Sequence, residues 1–224
     1  EFGVERRSVV KIKQVSDLVR TAILATEDER FYSHGGVDYI SMSRAAVATL
    51  SGNKQGAGTI TMQVAREFFL TREQTYTRKL NEVLLAYKIE ANLSKDDILE
   101  LYINQINLGQ RAYGFASAAR IYFGKTLDQL TAAEAAMLAG LPKAPSAYNP
   151  VVNPQRARLR QQYVLRRMLE TKAITEQQFQ REMEEDLVVR TETRDAAAHA
   201  EFIAEMARQV VYDAYGDDAY TKGI

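Results

Sequence analysis

The chain has 224 residues, 46% of them hydrophobic, and its 29 basic and 29 acidic side chains cancel. Such a length and apolar content suit one well-buried domain and exclude global disorder, and a net charge of zero leaves no overall field to attract nucleic acid. The lack of cysteine excludes disulfides and thiolate metal sites, and no run of roughly 18 apolar residues is present to cross a bilayer as a helix.

No signal-peptide pattern opens the chain. "EFGVERRSVVKIK" reads as a mid-protein start, so a membrane anchor is expected in a longer parent. Residues 8 to 15, "SVVKIKQV", alternate enough for a short strand or an extended arm. Ser16 is a good N-cap for "SDLVRTAILATE", which carries Leu18, Val19, Ala22, Ile23 and Thr26 at helical spacing. "DYISMSRAAVATLSG" predicts a second helix ended by Gly52, followed by the polar, glycine-rich and mobile loop "NKQGAG". "TITMQVAREFFL" begins a third helix and "YTRKLNEVLLAYKIEANL" forms a long fourth. Ser94 with Asp97, and Thr131 with Glu134, make capping boxes for "KDDILELYINQI" and "AAEAAMLAG". Asn153 and Pro154 open a helix through about Lys172, and Thr175 caps another. From Val188 the composition changes. The chain is mostly α, with no internal repeat.

Three stretches could carry chemistry. Val19, Ile23 and Glu27 fall at i, i+4 and i+8, so the Glu27 carboxylate continues a buried helix face. Apolar surroundings disfavour its charged form and move its pKa toward the range of a general base or acid. Asp28 points elsewhere and stays ionised. The plainer alternative is that both end a helix and pair with Arg30. Glu82 in "RKLNE" shares a helix face with Arg78 and Lys79, either as a surface ion pair worth about 0.5 kcal/mol or as a basic lip for phosphate. "GAGTITMQVAR" sets Thr59, Thr61 and Gln63 at a helix start, where free N–H groups favour anions, with Arg66 further along. No "GK[ST]" follows the glycines, so this is not a Walker loop.

Taken together, the two glutamates and the cations suit displacement of a phosphorylated leaving group from a sugar, with a carboxylate base and positive charge on the departing pyrophosphate. The two histidines, His34 and His199, lack zinc-site spacing, and His34 reads as a structural hydrogen-bonder. The basic stretch "QRARLRQQYVLRRM" reads as a solvated helix face or a membrane-surface element. The helix of Ile40, Met42, Ala45, Val47 and Leu50 is either packed or dipped into lipid.

Five ordered motifs carry a family resemblance. "EDERFYSHGG" resembles the E-D-x-x-F-x-x-H-x-G motif of the peptidoglycan glycosyltransferases, the polymerising module of class A (1A-type) penicillin-binding proteins. "GAGTITMQ" is similar to their G-x-S-T-x-x-Q-Q stretch, "RKLNE" to R-K-x-x-E and "KDDILELYIN" to K-x-x-I-L-E-x-Y-L-N. "GQRAYGFASAARIYFGK" and "LTAAEAAMLAGLPKAPSAYNP" follow in the expected order. The resemblance covers about residues 4 to 185. It implies a glycosyltransferase domain over residues 1–187 and, over 188–224, the start of a linker toward a transpeptidase domain.

The resemblance also implies a lysozyme-like, multi-helix fold with an extended catalytic cleft and minor β, acting on lipid II and the nascent glycan strand at the periplasmic face of the bacterial inner membrane. Glu27 is then the general base toward the acceptor's 4-hydroxyl. Glu82 assists at the pyrophosphate, directly or through a divalent cation, Mg²⁺ or Mn²⁺, which it would ligate. Arg66, Arg78 and Lys79 hold phosphates, Thr59 and Gln63 line the donor site, and Asp28 and His34 support. Moenomycin, the family's antibiotic, is expected in the donor site. Gly58 stands where the family usually has serine and Met62 where it often has glutamine, so one hydroxyl contact and one polar contact are expected to be lost. A lytic glycosidase on the same fold would also want a buried glutamate but has no use for Arg78 and Lys79. A lipid-binding scaffold would need neither.

Overall fold

The computed structural model describes residues 6–50, 58–69, 76–190 and 206. Among the described residues there are nine α-helices and two very short strands. The fold is mostly α with minor β, as expected. The helices are α1 (Asp17–Glu27), α2 (Tyr39–Leu50), α3 (Ile60–Phe69), α4 (Tyr76–Glu90), α5 (Lys95–Gln105), α6 (Phe115–Phe123), α7 (Ala132–Gly140), α8 (Pro154–Glu170) and α9 (Glu176–Glu184). The strands β1 (Arg6–Arg7) and β2 (Ala112–Tyr113) pair in parallel.

Helix α7, "AAEAAMLAG", is buried on every side, and its small side chains let α1 and α8 pack closely against it. Its buried Glu134 closes the capping box with Thr131 and takes Lys125 Nζ at 2.8 Å. Gln161 on α8 donates to Ala133 O, and the buried Glu182 of α9 accepts from Ala133 N. The polar groups at the start of this central helix are thus satisfied from two neighbouring helices. Most core residues form one cluster spanning α1, α3 and α5 to α8.

The caps expected at Ser16, Ser94, Thr131 and Thr175 all form. The segment 8–15 differs from its strand reading. Residues 8–11 form no strand, and Ile12–Gln14 is a turn of 3₁₀ helix. Its backbone is satisfied instead by α5 side chains. Asn104 accepts from Val10 N at 2.9 Å and donates to Val10 O at 2.8 Å, while Glu100 accepts from Ile12 N. The helix at 154 ends at Glu170, two residues before its expected end. The expected Gly52 stop and the glycine-rich loop through 57 lie outside the described residues.

Candidate active site

Helix α1 starts on Ser16, whose hydroxyl accepts from Val19 N, and buries Val19, Ala22 and Ile23 before ending on Glu27. Glu27 is half-buried. Its Oε2 accepts a 2.9 Å hydrogen bond from Gln63 Nε2 on α3. Burial pushes the carboxyl above its ordinary range; the Gln63 donor and the positive charges of Arg160, Arg66 and Lys143 oppose this without cancelling it. A carboxyl so placed holds its proton more tightly than one in water and is a stronger base once ionised. Thr26, beside it, has a buried hydroxyl without a hydrogen-bond partner.

Asp28 caps the end of α1 and is buried, its side chain pointing away from Glu27's partners as expected. Its carboxylate accepts from His34 Nε2 at 2.9 Å and from Ile60 N, the first N–H of α3, at 3.0 Å. An anion at a helix start is favoured by the exposed N–H groups and the helix dipole. Asp28 therefore welds the end of α1 to the beginning of α3, and His34 holds Asp28 in place. Arg30 pairs with Asp38 at 3.6 Å, so the alternative partner expected for Glu27 and Asp28 is engaged elsewhere.

Thr59 N-caps α3: its hydroxyl accepts from Met62 N and donates to Gly36 O at 2.6 Å. It is buried, and its only hydrogen is committed to Gly36. Thr59, Gln63 and Arg66 share one face at i, i+4 and i+7. Arg66 is partly exposed and lies 4.0 Å from Glu67. Thr61 turns away to donate to Glu90 of α4, which also takes Lys95 of α5. Met62 is buried in a small apolar cluster with Val37 and Ala86. The polar contact expected to be lost there is replaced by packing.

Glu82, on α4, is 2% exposed. Lys79 Nζ donates to its Oε2 at 2.8 Å, and Arg78 Nε lies 3.3 Å from its Oε1. Lys79 reaches outward from this buried anchor, its side chain half exposed. The approach to α3 lies beside it: a Cβ on Gly58 would sit 3.9 Å from Lys79 Nζ, with no other atom within 4 Å among the described residues. A serine there would fit. The stretch from Gly58 through α3 thus links the two glutamates, with Gln63 against Glu27 and Gly58, just before the helix, near Lys79.

The fit of Glu82 to a divalent ion is poor, because both its oxygens already face cations and the side chain is enclosed. One set of ligand-type atoms is grouped among the described residues, those of Asp28, His34 and Asp38, mutually within 4.8 Å. Arg30, His34, Asp38, Tyr39 and Tyr87 are among the residues lining a cavity of about 410 Å³ that Glu27 does not reach.

Two cations around Glu27 escaped the sequence reading. Arg160, on α8, has its guanidinium 4.6 Å from the Tyr163 ring centroid and 5.7 Å from that of Tyr148, and it donates to Gly140 O. Gly140 makes that placement possible, since a Cβ there would lie 2.8 Å from Arg160 Cγ. Lys143 follows α7 in the "LPKAP" turn. The signal for Lys143 was its place in a quoted motif; Arg160 was hidden in a basic helix that reads as solvated.

The chain matches a protein-family model described as transglycosylase over residues 1–169. It is 59% identical over 224 residues to penicillin-binding protein 1A of Neisseria meningitidis, covering 99% of this chain and 28% of that protein. It is 62% identical over 182 residues to a provisionally named transglycosylase of Cupriavidus necator, covering 81% of this chain and 79% of the other. A crystal structure of penicillin-binding protein 1A from Haemophilus influenzae superposes with a TM-score of 0.55 at 29% identity, over 97% of this chain and 22% of that one. The chain spans 28% of the length of the Neisseria protein it matches. Sequence agreement along most of its length and a shared helical arrangement lead to one conclusion: the chain belongs to the transglycosylase family.

Proposed function

We propose that this chain is a peptidoglycan glycosyltransferase that polymerises lipid II into β-1,4-linked strands. Glu27 takes the proton from the 4-hydroxyl of the acceptor's N-acetylglucosamine. That oxygen attacks the anomeric carbon of the growing strand's N-acetylmuramic acid, the configuration inverts, and undecaprenyl pyrophosphate leaves. The observation that carries the reading is the Glu27 carboxyl, raised by burial, hydrogen-bonded by Gln63 and under the positive field of Arg160, Arg66 and Lys143. A base in a field of cations suits a reaction whose leaving group is a pyrophosphate.

Arg66, Arg78 and Lys79 are the phosphate-holding groups of this reading, and Glu82 keeps the last two extended and oriented. Gln63 orients the base, while Thr59, Asp28 and His34 build the start of the helix that carries it. No step is routed through a Mg²⁺ or Mn²⁺ ion, because Arg78 and Lys79 already supply positive charge at Glu82. Moenomycin would compete for the same cationic end.

Residues 1–187 are proposed as the glycosyltransferase unit and 188–224 as the beginning of a linker toward a transpeptidase domain. Arg190, at the end of the described run 76–190, donates its N–H to Tyr122 O. Work at the periplasmic face of the inner membrane is supported by apolar side chains left exposed on α2, α3 and α4: Tyr39, Ile40, Val47, Phe69, Leu80 and Leu84. No helix of the described residues is long and apolar enough to cross a membrane, so these groups suit lying against the lipid that carries the substrate.

The test is lipid II in a detergent or bilayer mimetic, with the parent chain and Glu27→Gln. The parent should yield glycan polymer and the variant less than about 1% of it, a loss in the range expected for removing a general base. Polymer from both at equal rates refutes the assignment.

A further inference from the structure

His34 lies between α1 and α2, its side chain 5% exposed. Its Nε2 stands 2.9 and 3.1 Å from the two oxygens of Asp28. A carboxylate only accepts, so Nε2 carries the hydrogen and Nδ1 keeps the lone pair of the neutral ring. That Nδ1 is buried and has no hydrogen-bond partner among the described residues. A buried polar atom left so is costly and calls for a ligand. Four residues on, Asp38 caps the start of α2: Oδ1 accepts from Ile40 N and Ser41 N, and Oδ2 from Ser41 Oγ. One ligand-type atom from each of Asp28, His34 and Asp38 lies within 4.8 Å of the others. His34 and Asp38 line the cavity of about 410 Å³, whereas Asp28 is not among its lining residues. The imidazole therefore turns its Nδ1 side to that space.

We propose that this corner is a Zn²⁺ site. His34 Nδ1 and an Asp38 oxygen bind the ion, Asp28 fixes the ring from behind, and water from the cavity completes a four-coordinate shell. A histidine that gives one ring N–H to a carboxylate and leaves the other nitrogen bare has the arrangement of a metal ligand. Ligands about 2.1 Å from one ion stand about 3.4 Å apart, a spacing within reach of groups already gathered inside 4.8 Å. The imidazole nitrogen selects zinc over magnesium. Arg30, whose Nε lies 3.6 Å from Asp38, opposes the ion and keeps its affinity modest. Since Glu27 does not reach the cavity, the ion is structural: it ties the end of α1 to the start of α2, whatever reaction Glu27 performs.

The test titrates the chelator-stripped chain with Zn²⁺ by calorimetry, with Co²⁺ by visible absorption, and with Mg²⁺ for comparison. One Zn²⁺ per chain should bind with a Kd below about 100 µM, displace Co²⁺, and raise the melting temperature as its concentration rises. His34→Gln and Asp38→Asn should each weaken binding at least about 10-fold. Arg30→Gln should tighten it about three-fold or more by removing the opposing charge. His34 also holds Asp28 in place, so if its variant does not fold, the imidazole ¹⁵N resonances of the parent decide: Nδ1 of His34 should shift with zinc. Absence of saturable zinc uptake overturns the proposal. So does an unmoved Nδ1 resonance, equal affinity for Mg²⁺, or binding that survives Asp38→Asn and is lost in Glu82→Gln.

Discussion

Replacing Glu82 by glutamine removes a charge that two cations grip. At an effective dielectric of about 20, unit charges at the observed 2.8 and 3.3 Å attract by about 6 and 5 kcal/mol before desolvation is subtracted. Desolvating a carboxylate that is 2% exposed takes back most of this. Removing one member of a buried pair typically costs about 3–5 kcal/mol, because the other charge is left in place. Lys79, half exposed, can re-solvate, so the cost falls mainly on the more enclosed Arg78 and reduces to about 2 kcal/mol. For a chain of this size that is a drop of about 4–8 °C in melting temperature. Lys79→Met leaves the buried carboxylate on Arg78 with one charge-assisted hydrogen bond fewer and should cost about 1–3 kcal/mol. Scanning calorimetry of the three proteins makes the comparison. If Glu82→Gln melts at or above the parent, the carboxylate is not the buried anchor described above. Turnover of lipid II should fall in both variants.

Gly140→Ala should leave the melting temperature within about 2 °C, since alanine's helix propensity offsets the clash, yet lower turnover because its Cβ displaces Arg160; parent-level activity would show that Arg160's position is immaterial. Gly58→Ser should gain about 0.4–1 kcal/mol in chemical denaturation by restricting the unfolded chain, and should bind phosphate-bearing substrate at least as tightly, as a lower KM would report. The value of kcat/KM should rise with pH through an apparent pKa above the ordinary 4.5 of a glutamate, because burial raises Glu27 and only its ionised form accepts a proton. The same shift sets a linkage: its stabilising contribution is full below the unfolded pKa and is lost as pH rises through the folded one. Glu27→Gln should therefore gain in melting temperature relative to the parent as pH rises.

Helix positions were legible because their signals are local. Ser16, Ser94, Thr131 and Thr175 cap the helices they precede, and the four-residue spacing of Val19 and Ile23 put Glu27 at the end of a buried face. Strand and arm could not be told apart before Ser16, because the backbone partners, Asn104 and Glu100, lie about ninety positions away and act through side chains. The partner of Asp28 was not visible, because nothing nearby in sequence announces Ile60 N. Met62 could not be placed in an apolar cluster from a motif in which glutamine is common. The cationic surroundings of Glu27 were half visible: Arg66 follows from the helix face, whereas Arg160 and Lys143 arrive by the packing of α8 and the turn after α7.

The chain passes Lys79 at Gly58, starts α3 on the Asp28 carboxylate and then presents Gln63 to Glu27. A rigid rod touching both reaction partners makes their geometries a single variable, so a half-turn of slippage would misalign the two together. Substitutions at its ends should consequently show non-additive effects in double-mutant cycles, and a library that varies one end while freezing the other will find few improvements.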